Sequence, residues 1–152
     1  MSARPDPIGD LVVANHILYR QGVVDGFGHV SARHPENPNR YFIARSMAPA
    51  LVTAEDILEL DLDSNPLRPD APTSYLERFI HGEIYRARPD VHAVMHTHPQ
   101  WSTFLTMTGV PYKAVYAQGV LLAGIPLLDS PLSVNTKATG EKLAAKIGRA
   151  HV

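Results

Sequence analysis

The sequence predicts an α/β fold in which helices pack on a largely antiparallel sheet. Two early segments, His29–Arg33 and Tyr41–Arg45, have the alternating or apolar pattern of strands. The segment between them contains Pro35 and Pro38 and is typical of a hairpin connection, which makes the two strands antiparallel. In the second half of the chain, amphipathic segments of helical period are interleaved with further strand-like runs. These observations together favour helices on a mixed but mostly antiparallel sheet.

The other elements follow from hydrophobic periodicity and from end signals. Gly22 and Gly109 are expected helix stops, and Ser74 is an expected cap. Thr53 with Asp56 indicates the cap of a short helical turn. The predicted helices are Ile8–Gln21, Ser74–Arg88, Gln100–Thr108 and Thr136–Ile147. The further predicted strands are Leu58–Asp63, Val91–His98, Lys113–Tyr116 and Leu121–Leu128.

Composition limits the class of protein. The 152 residues suffice for one domain with a sizeable core, and 45% of them are hydrophobic. The net charge of −1, with both signs interspersed, argues against a nucleic-acid or anionic-membrane partner. Because the chain has no cysteine, a metal site in it must use His, Asp or Glu.

No segment predicts a membrane span or a secretory signal. The start of the chain has no apolar signal region. The longest apolar stretch, Val120–Leu128, is short and is broken by Gly124 and Pro126. We therefore expect a soluble cytoplasmic protein.

A histidine pair closes the strand predicted at residues 91–98. His96 and His98 are two positions apart, and side chains at that spacing on a strand point to the same face. Two imidazoles placed in this way can converge on one metal ion at about 2.0–2.1 Å. Pro99 favours an extended conformation at His98 and ends the ladder there. The pair therefore indicates a metal site at a strand end, and a pair satisfied by other polar groups is the alternative.

The helix predicted just upstream carries Glu77, His81 and Tyr85 at spacing four, so that they share one face. Glu77 would reach a metal ion held by His96 and His98 if this helix packs beside the strand. The alternative is a solvated acid of the first helical turn, which the helix dipole favours. Spacing alone does not decide between the two.

Several segments resemble one known family. In Ser74–Pro99 an acid, Glu77, is followed nineteen residues on by the first histidine of His-x-His. Gly28–Ser31 is similar to a Gly-Asn-x-Ser segment, and the pairs Arg45–Ser46 and Thr73–Ser74 also match. The combination resembles the class II aldolase/adducin family over roughly residues 8–146.

The resemblance implies a three-layer αβα fold, with a central, mostly antiparallel sheet between helices, and commonly a homotetramer with active sites at subunit interfaces. It implies that His96, His98 and Glu77 bind a divalent ion, for which zinc and manganese are both compatible. It also implies that Glu77 moves a proton, and that Tyr116, or Tyr112, is a tyrosine lent across an interface. The positions that match the substrate pocket are His29, Ser31, Arg45, Ser46, Thr73 and Ser74.

Departures from the family pattern favour a particular reaction. His29 replaces the asparagine typical of phosphate-binding aldolases, and Ser46–Pro49 lacks the Thr-Gly turn that cradles a sugar phosphate. Both segments look more like family members that decarboxylate hydroxylated aromatic or pyridine carboxylates. An aldolase or epimerase of a short sugar phosphate is the first alternative. An adducin-like binding protein without a metal is the second, and the intact Glu77, His96 and His98 argue against it.

The third metal histidine of the family has no match in this sequence, because His151 is too close to His98 and lies in the wrong context. We therefore expect residues 1–152 to form a single class II aldolase/adducin-type domain that is incomplete at its C-terminus. With at most three ligands, this polypeptide alone is expected to bind metal poorly.

Overall fold

The structure is a computed structural model that describes residues 6–117, 119, 124–130 and 132–147. Its strands are β1 (His29–Arg33), β2 (Arg40–Ala44), β3 (Ile57–Asp61) and β4 (Ala93–His96). They form one four-stranded sheet in the order β3-β2-β1-β4, and each neighbouring pair is antiparallel. The predicted antiparallel sheet is confirmed, including the β1–β2 hairpin.

The helices that flank the sheet are α1 (Pro7–Arg20), α2 (Phe79–Ala87), α3 (Gln100–Thr108) and α4 (Lys137–Lys146). The carboxylate of Asp6 caps α1 by accepting the Gly9 N–H at 3.0 Å, and Gly22 follows the helix with a φ of 65°. Thr136 caps α4 through the amide of Thr139. The Gly22 stop was predicted from the sequence, whereas the Asp6 and Thr136 caps were not, although each of these signals depends on neighbouring residues only.

The two faces of the sheet carry different helices. The ring of Tyr41 in β2 lies 5.4 Å from the ring of Tyr85 in α2. The next residue, Phe42, points to the other face, where it lines a surface cleft with Ile8 of α1. Helix α4 packs on α2. The described elements are thus arranged as helix, sheet and helix, in agreement with the predicted three-layer fold.

The helix predicted at Ser74–Arg88 begins later than expected. Glu77 lies in a 3₁₀ turn with φ −87° and ψ 15°, and α2 starts at Phe79. Ser74 does not cap the helix but pairs with Arg45 in an isolated β-bridge. The expectation that Glu77 shares an α-helical face with His81 and Tyr85 is therefore wrong, because the kink turns Glu77 away from the helical repeat.

Two predicted strands are absent from the described residues. Residues 113–116 and 124–128 have no strand conformation, and residues 121–123 lie outside the described part. Val115 is 83% exposed and Leu127 65% exposed. Apolar and β-branched composition favours a strand only where a sheet edge and a packing surface are available. Among the described residues, no helix is long and apolar enough to cross a membrane.

Candidate metal and substrate site

The site lies where β1 and β4 pair beside the turn that precedes α2. The antiparallel register places His29 directly opposite His96, with ring centroids 4.9 Å apart. Gly28 allows this approach, because a Cβ at that position would lie 2.5 Å from the Val24 side chain and 3.2 Å from the His96 carbonyl oxygen. The glycine before β1 therefore leaves room for β4, and the strand register brings the two histidines together.

His96 and His98 form the open pair of the site. Their Nε2 atoms are 2.9 Å apart, so both rings point to the same place as their spacing predicts. Oε2 of Glu77 lies 3.1 Å from His96 Nε2, while its Oε1 accepts a hydrogen bond from Ser133 Oγ at 2.7 Å. The structure thus brings together the three side chains that the sequence suggests as metal ligands.

Asp25 supports the open pair from the loop before β1. Its carboxylate is 3.3 Å from His98 Nδ1 and accepts the backbone N–H of Phe27 at 2.8 Å. The pKa of Asp25 is lowered, first by the Phe27 amide and also by His98, so the carboxylate stays ionised. A carboxylate on one imidazole nitrogen orients the ring and leaves the other nitrogen for a metal. This supporting residue was missed from the sequence, since Asp25 and His98 are 73 positions apart.

A second set of polar side chains, the histidine relay, is buried beneath the open pair. It runs from Tyr85 through Ser31 and His81 to His29. Tyr85 O–H and Ser31 Oγ are 2.7 Å apart, and Ser31 Oγ is 2.6 Å from His81 Nδ1. His81 Nε2 is 2.7 Å from His29 Nδ1. All four residues are at most 2% exposed.

Burial keeps the histidines of the relay neutral. It lowers the pKa of His29 to about 3, with further lowering from His96 and His98, and it lowers the pKa of His81 as well. Sequence spacing did place His81 and Tyr85 on one helical face. Their link to Ser31 and His29 depends on how α2 packs on β1, which no local pattern encodes.

His29 also lies close to the metal ligands suggested by sequence. Side-chain ligand atoms of His29, Glu77 and His96 lie within 4.8 Å of one another and could hold a metal ion. The sequence placed His29 in the substrate pocket only. The β1–β4 register also places it beside the candidate metal position.

The other predicted pocket residues lie near one another, between β2 and the turn before α2. Arg45 Nε donates to Asp56 Oδ1 at 2.6 Å, and this bond is the main cause of the lowered pKa of Asp56. The Ser46 amide donates to the Thr73 carbonyl at 2.9 Å. Ser74 is 5% exposed, and among the described residues its Oγ has no hydrogen-bond partner. A buried hydroxyl in that state is available to a ligand.

Tyr116, the predicted catalytic tyrosine, is 59% exposed. Its ring would contact a Cβ at Gly119, and no contact between Tyr116 and Glu77, His96 or His98 is seen in the described part of the chain. A role for Tyr116 across a subunit interface stays a prediction.

The donor set fits a divalent cation. The Nε2 atom of His96 lies 2.9 Å from Nε2 of His98 and 3.1 Å from Oε2 of Glu77. Such sets of nitrogen and oxygen ligands suit zinc and manganese. Without a cation, Glu77 and His98 would both face the single Nε2 position of His96, which can serve only one of them in a hydrogen bond. The residues present therefore fit a metal ion: ligand atoms of Glu77, His96 and His29 lie within 4.8 Å of one another, and His98 joins this group through His96, 2.9 Å from it.

Comparison with known proteins assigns the family. The model of the family "Class II Aldolase and Adducin N-terminal domain" matches residues 9–152, so the chain belongs to this family. A solved structure of an aldolase II superfamily protein from Pseudomonas syringae superposes with a TM-score of 0.78 at 21% identity, covering 97% of this chain and 62% of the other. The predicted family and fold are thereby confirmed.

Curated relatives include three lyases. Decarboxylase tropJ of Talaromyces stipitatus is 38% identical over 126 residues, covering 81% of this chain and 47% of the relative. L-fuculose phosphate aldolase of Methanocaldococcus jannaschii is 38% identical over 118 residues, with coverages of 77% and 62%. 3,4-dihydroxyphthalate decarboxylase of Arthrobacter keyseri is 28% identical over 157 residues, with coverages of 91% and 61%. The chain thus spans about half to three-fifths of the length of these relatives.

Proposed function

We propose that the protein is a divalent-metal-dependent carbon–carbon lyase that decarboxylates a hydroxylated aromatic or heteroaromatic carboxylate. The observation that carries the proposal is the convergence of Glu77, His96 and His98 beside the buried His29. The similarity to two decarboxylases, one of them named for a dihydroxylated aromatic diacid, supports the reaction class.

The ligand roles follow from the geometry. His96 and His98 would supply imidazole nitrogens, and Asp25 holds the His98 ring in place. A divalent ion, zinc or manganese, would supply Lewis acidity that stabilises negative charge on substrate oxygens. Glu77 has one oxygen at His96 and the other on Ser133, so its carboxylate is fixed at the edge of the cluster.

The reaction needs one bond cleavage and one proton transfer. The bond between the ring carbon and the carboxylate carbon breaks, carbon dioxide leaves, and the electron pair stays on the ring carbon. That carbon then takes a proton, and Glu77 would pass to it the proton that its carboxylate first accepts from the substrate hydroxyl, which is left as the oxyanion until solvent reprotonates it. The buried Ser74 hydroxyl would contribute to a pocket that excludes water, and so would Ser31 as part of the buried histidine relay.

An aldolase or epimerase acting on a short sugar phosphate is the second candidate, and the similarity to L-fuculose phosphate aldolase favours it. The surroundings of Arg45 argue for the decarboxylase. Its guanidinium is already paired with Asp56, and a phosphate dianion would compete with that carboxylate. His29 in place of an amide, and the Ser46–Pro49 segment, also support a substrate without phosphate.

Two assays separate the candidates. Because weak metal binding is expected, the protein is assayed in excess zinc or manganese. It is offered a panel of ortho-hydroxylated benzene and pyridine carboxylates, and carbon dioxide release is measured. Metal-dependent release is expected, and Glu77→Gln should abolish it. No release, together with cleavage of a sugar phosphate to an aldehyde, would transfer the proposal to the aldolase. No metal in the purified protein and neither reaction would favour an adducin-like binding role.

We also propose that the protein forms a homo-oligomer, with a tetramer as the expected size. Helix α3 exposes Trp101 by 74%, Phe104 by 53% and Met107 by 80%. Apolar patches of this kind are rarely left in water on a monomer. Light scattering during size exclusion would show the assembly, and a monomer at micromolar concentration would contradict it.

A further inference from the structure

The histidine relay ends at the candidate metal site, but no single link in it has a fixed direction. Hydroxyl groups donate and accept, and a neutral imidazole has one nitrogen of each kind. The direction follows from counting hydrogens along the whole relay. The count decides what His29 presents to the site.

The count starts at the Tyr85 hydroxyl, which is 1% exposed. Within the described part of the chain, the atom that can accept the Tyr85 hydrogen is Ser31 Oγ, at 2.7 Å. The backbone amide of Val94 also faces this oxygen, but an amide N–H donates and offers no acceptor. A buried hydroxyl without an acceptor costs about 1–3 kcal/mol. Tyr85 therefore donates its hydrogen to Ser31.

The remaining links then follow one by one. Ser31 accepts the hydrogen of Tyr85, so its own hydroxyl hydrogen cannot point at Tyr85. Ser31 therefore donates that hydrogen to His81 Nδ1 at 2.6 Å. His81 Nδ1 is therefore an acceptor, and the hydrogen of the ring lies on Nε2. That nitrogen donates to His29 Nδ1 at 2.7 Å. His29 consequently carries its own hydrogen on Nε2.

We infer that His29 acts in this site as a hydrogen-bond donor to the substrate through Nε2–H, and not as a metal ligand. Tyr85, Ser31 and His81 are positioning residues that hold the ring of His29 and its hydrogen in place. A metal ligand must offer the lone pair of the nitrogen, and on Nε2 the hydrogen occupies that position. Proximity to Glu77 and His96 alone would suggest a ligand, whereas hydrogen counting assigns a donor.

The opposite direction is disfavoured by the same count. If His29 used Nε2 as a ligand, its hydrogen would lie on Nδ1 and each link would reverse. Ser31 would then donate to Tyr85, and the Tyr85 hydrogen would be buried without an acceptor. The open pair differs at this point, because Asp25 accepts from His98 Nδ1 and so leaves His98 Nε2 free for a metal.

The position of the hydrogen does not depend on the reaction. The identity of its acceptor, an oxygen of a hydroxylated aromatic carboxylate, rests on the proposed function. A first experiment therefore uses no substrate. The protein is labelled with ¹⁵N in its histidines, and long-range ¹H–¹⁵N spectra are recorded without metal and with saturating zinc, with His29→Asn identifying the His29 signals. We expect His29 and His81 as Nε2–H tautomers in both states. A His29 hydrogen on Nδ1 in either state would overturn the inference.

Zinc affinity gives a second test on the same protein. His29→Asn should leave the zinc dissociation constant unchanged, since no ligand is removed. His96→Ala should weaken it strongly. A loss of affinity in His29→Asn comparable to that in His96→Ala would show that His29 is a ligand. If His29→Asn does not fold, the tautomer measured in the unchanged protein still decides.

The positioning role is tested with two matched tyrosines. Tyr85→Phe removes the start of the relay, whereas Tyr41→Phe removes an equally buried hydroxyl that donates to Ser64 Oγ at 2.9 Å outside it. Tyr85→Phe should give mixed tautomers of His29 and His81 and, with an active carboxylate, a lower kcat at unchanged KM. Tyr41→Phe should show neither effect. A single Nε2–H tautomer in Tyr85→Phe would refute the positioning role. No turnover by the unchanged protein, with the tautomers as expected, would refute only the proposed function.

Discussion

The two histidine pairs of the site are built in opposite ways. His29 and His81 are 2% and 0% exposed and are tied to each other and to Ser31 by hydrogen bonds. The side chains of His96 and His98 are 22% and 37% exposed and face carboxylates on either side. Burial demands that each polar atom has a partner, so the buried pair is fixed in one arrangement. The open pair has carboxylates beside it and is partly exposed, so a cation could reach it and be stabilised there.

The largest effect is expected from breaking the open pair. His96→Ala removes the nitrogen at the centre of the donor cluster, 3.1 Å from Glu77 and 2.9 Å from His98. Loss of an outer-shell partner costs about 10–100-fold in metal affinity, so loss of a ligand should exceed that range. Titration with zinc, followed by calorimetry, measures the change. His92→Ala, in an exposed histidine before β4, is the control and should keep full affinity.

The buried pair should make the metal-free protein sensitive to acid. The folded-state pKa of His29 is about 3 and that of His81 is also lowered, both mainly by burial, while an unfolded histidine titrates near its ordinary value of about 6.5. The unfolded chain therefore binds more protons below pH 6.5. The contribution of both rings to stability is complete above that pH and is lost as the pH falls toward 3. Urea midpoints measured at pH 7.5 and pH 5 with EDTA should fall at the lower pH, and equal midpoints would contradict a neutral buried pair.

Breaking the relay in the middle should cost stability without removing a ligand. Ser31→Ala leaves the buried Tyr85 hydroxyl without an acceptor and His81 Nδ1 without a donor. A loss of about 1–3 kcal/mol in the free energy of unfolding is expected for such groups. Urea denaturation checks this, with Ser133→Ala as the exposed-hydroxyl control. If both variants lose the same small amount, the relay does not contribute to stability.

The smallest effect is expected from Asp25, which supports the open pair from the loop before β1. Asp25→Asn keeps the size of the side chain but weakens the partner of His98 Nδ1. Zinc affinity should fall about tenfold, at the lower end of the range for outer-shell partners. Asp129→Asn, in an exposed acid, serves as the control. Unchanged affinity in Asp25→Asn would mean that the His98 ring is held by something else.

The sequence by itself determined features that depend on close neighbours. Alternation predicted β1, helical periodicity predicted α1 and α4, and glycine stops predicted the ends of α1 and α3. The i, i+2 spacing predicted that His96 and His98 point the same way. Each of these rests on the repeat of a helix or strand or on a cap within three residues. That is why a linear pattern carries them.

Only the tertiary structure decided what lies around that pair. The β1–β4 register put His29 opposite His96, and the packing of α2 on β1 joined His81 to Ser31, 50 positions away. The kink at Glu77 and the lack of strands at 113–116 also escaped prediction, because each depends on a neighbouring surface. Packing and register are properties of distant segments, so the role of His29 could be read only after the chain was folded.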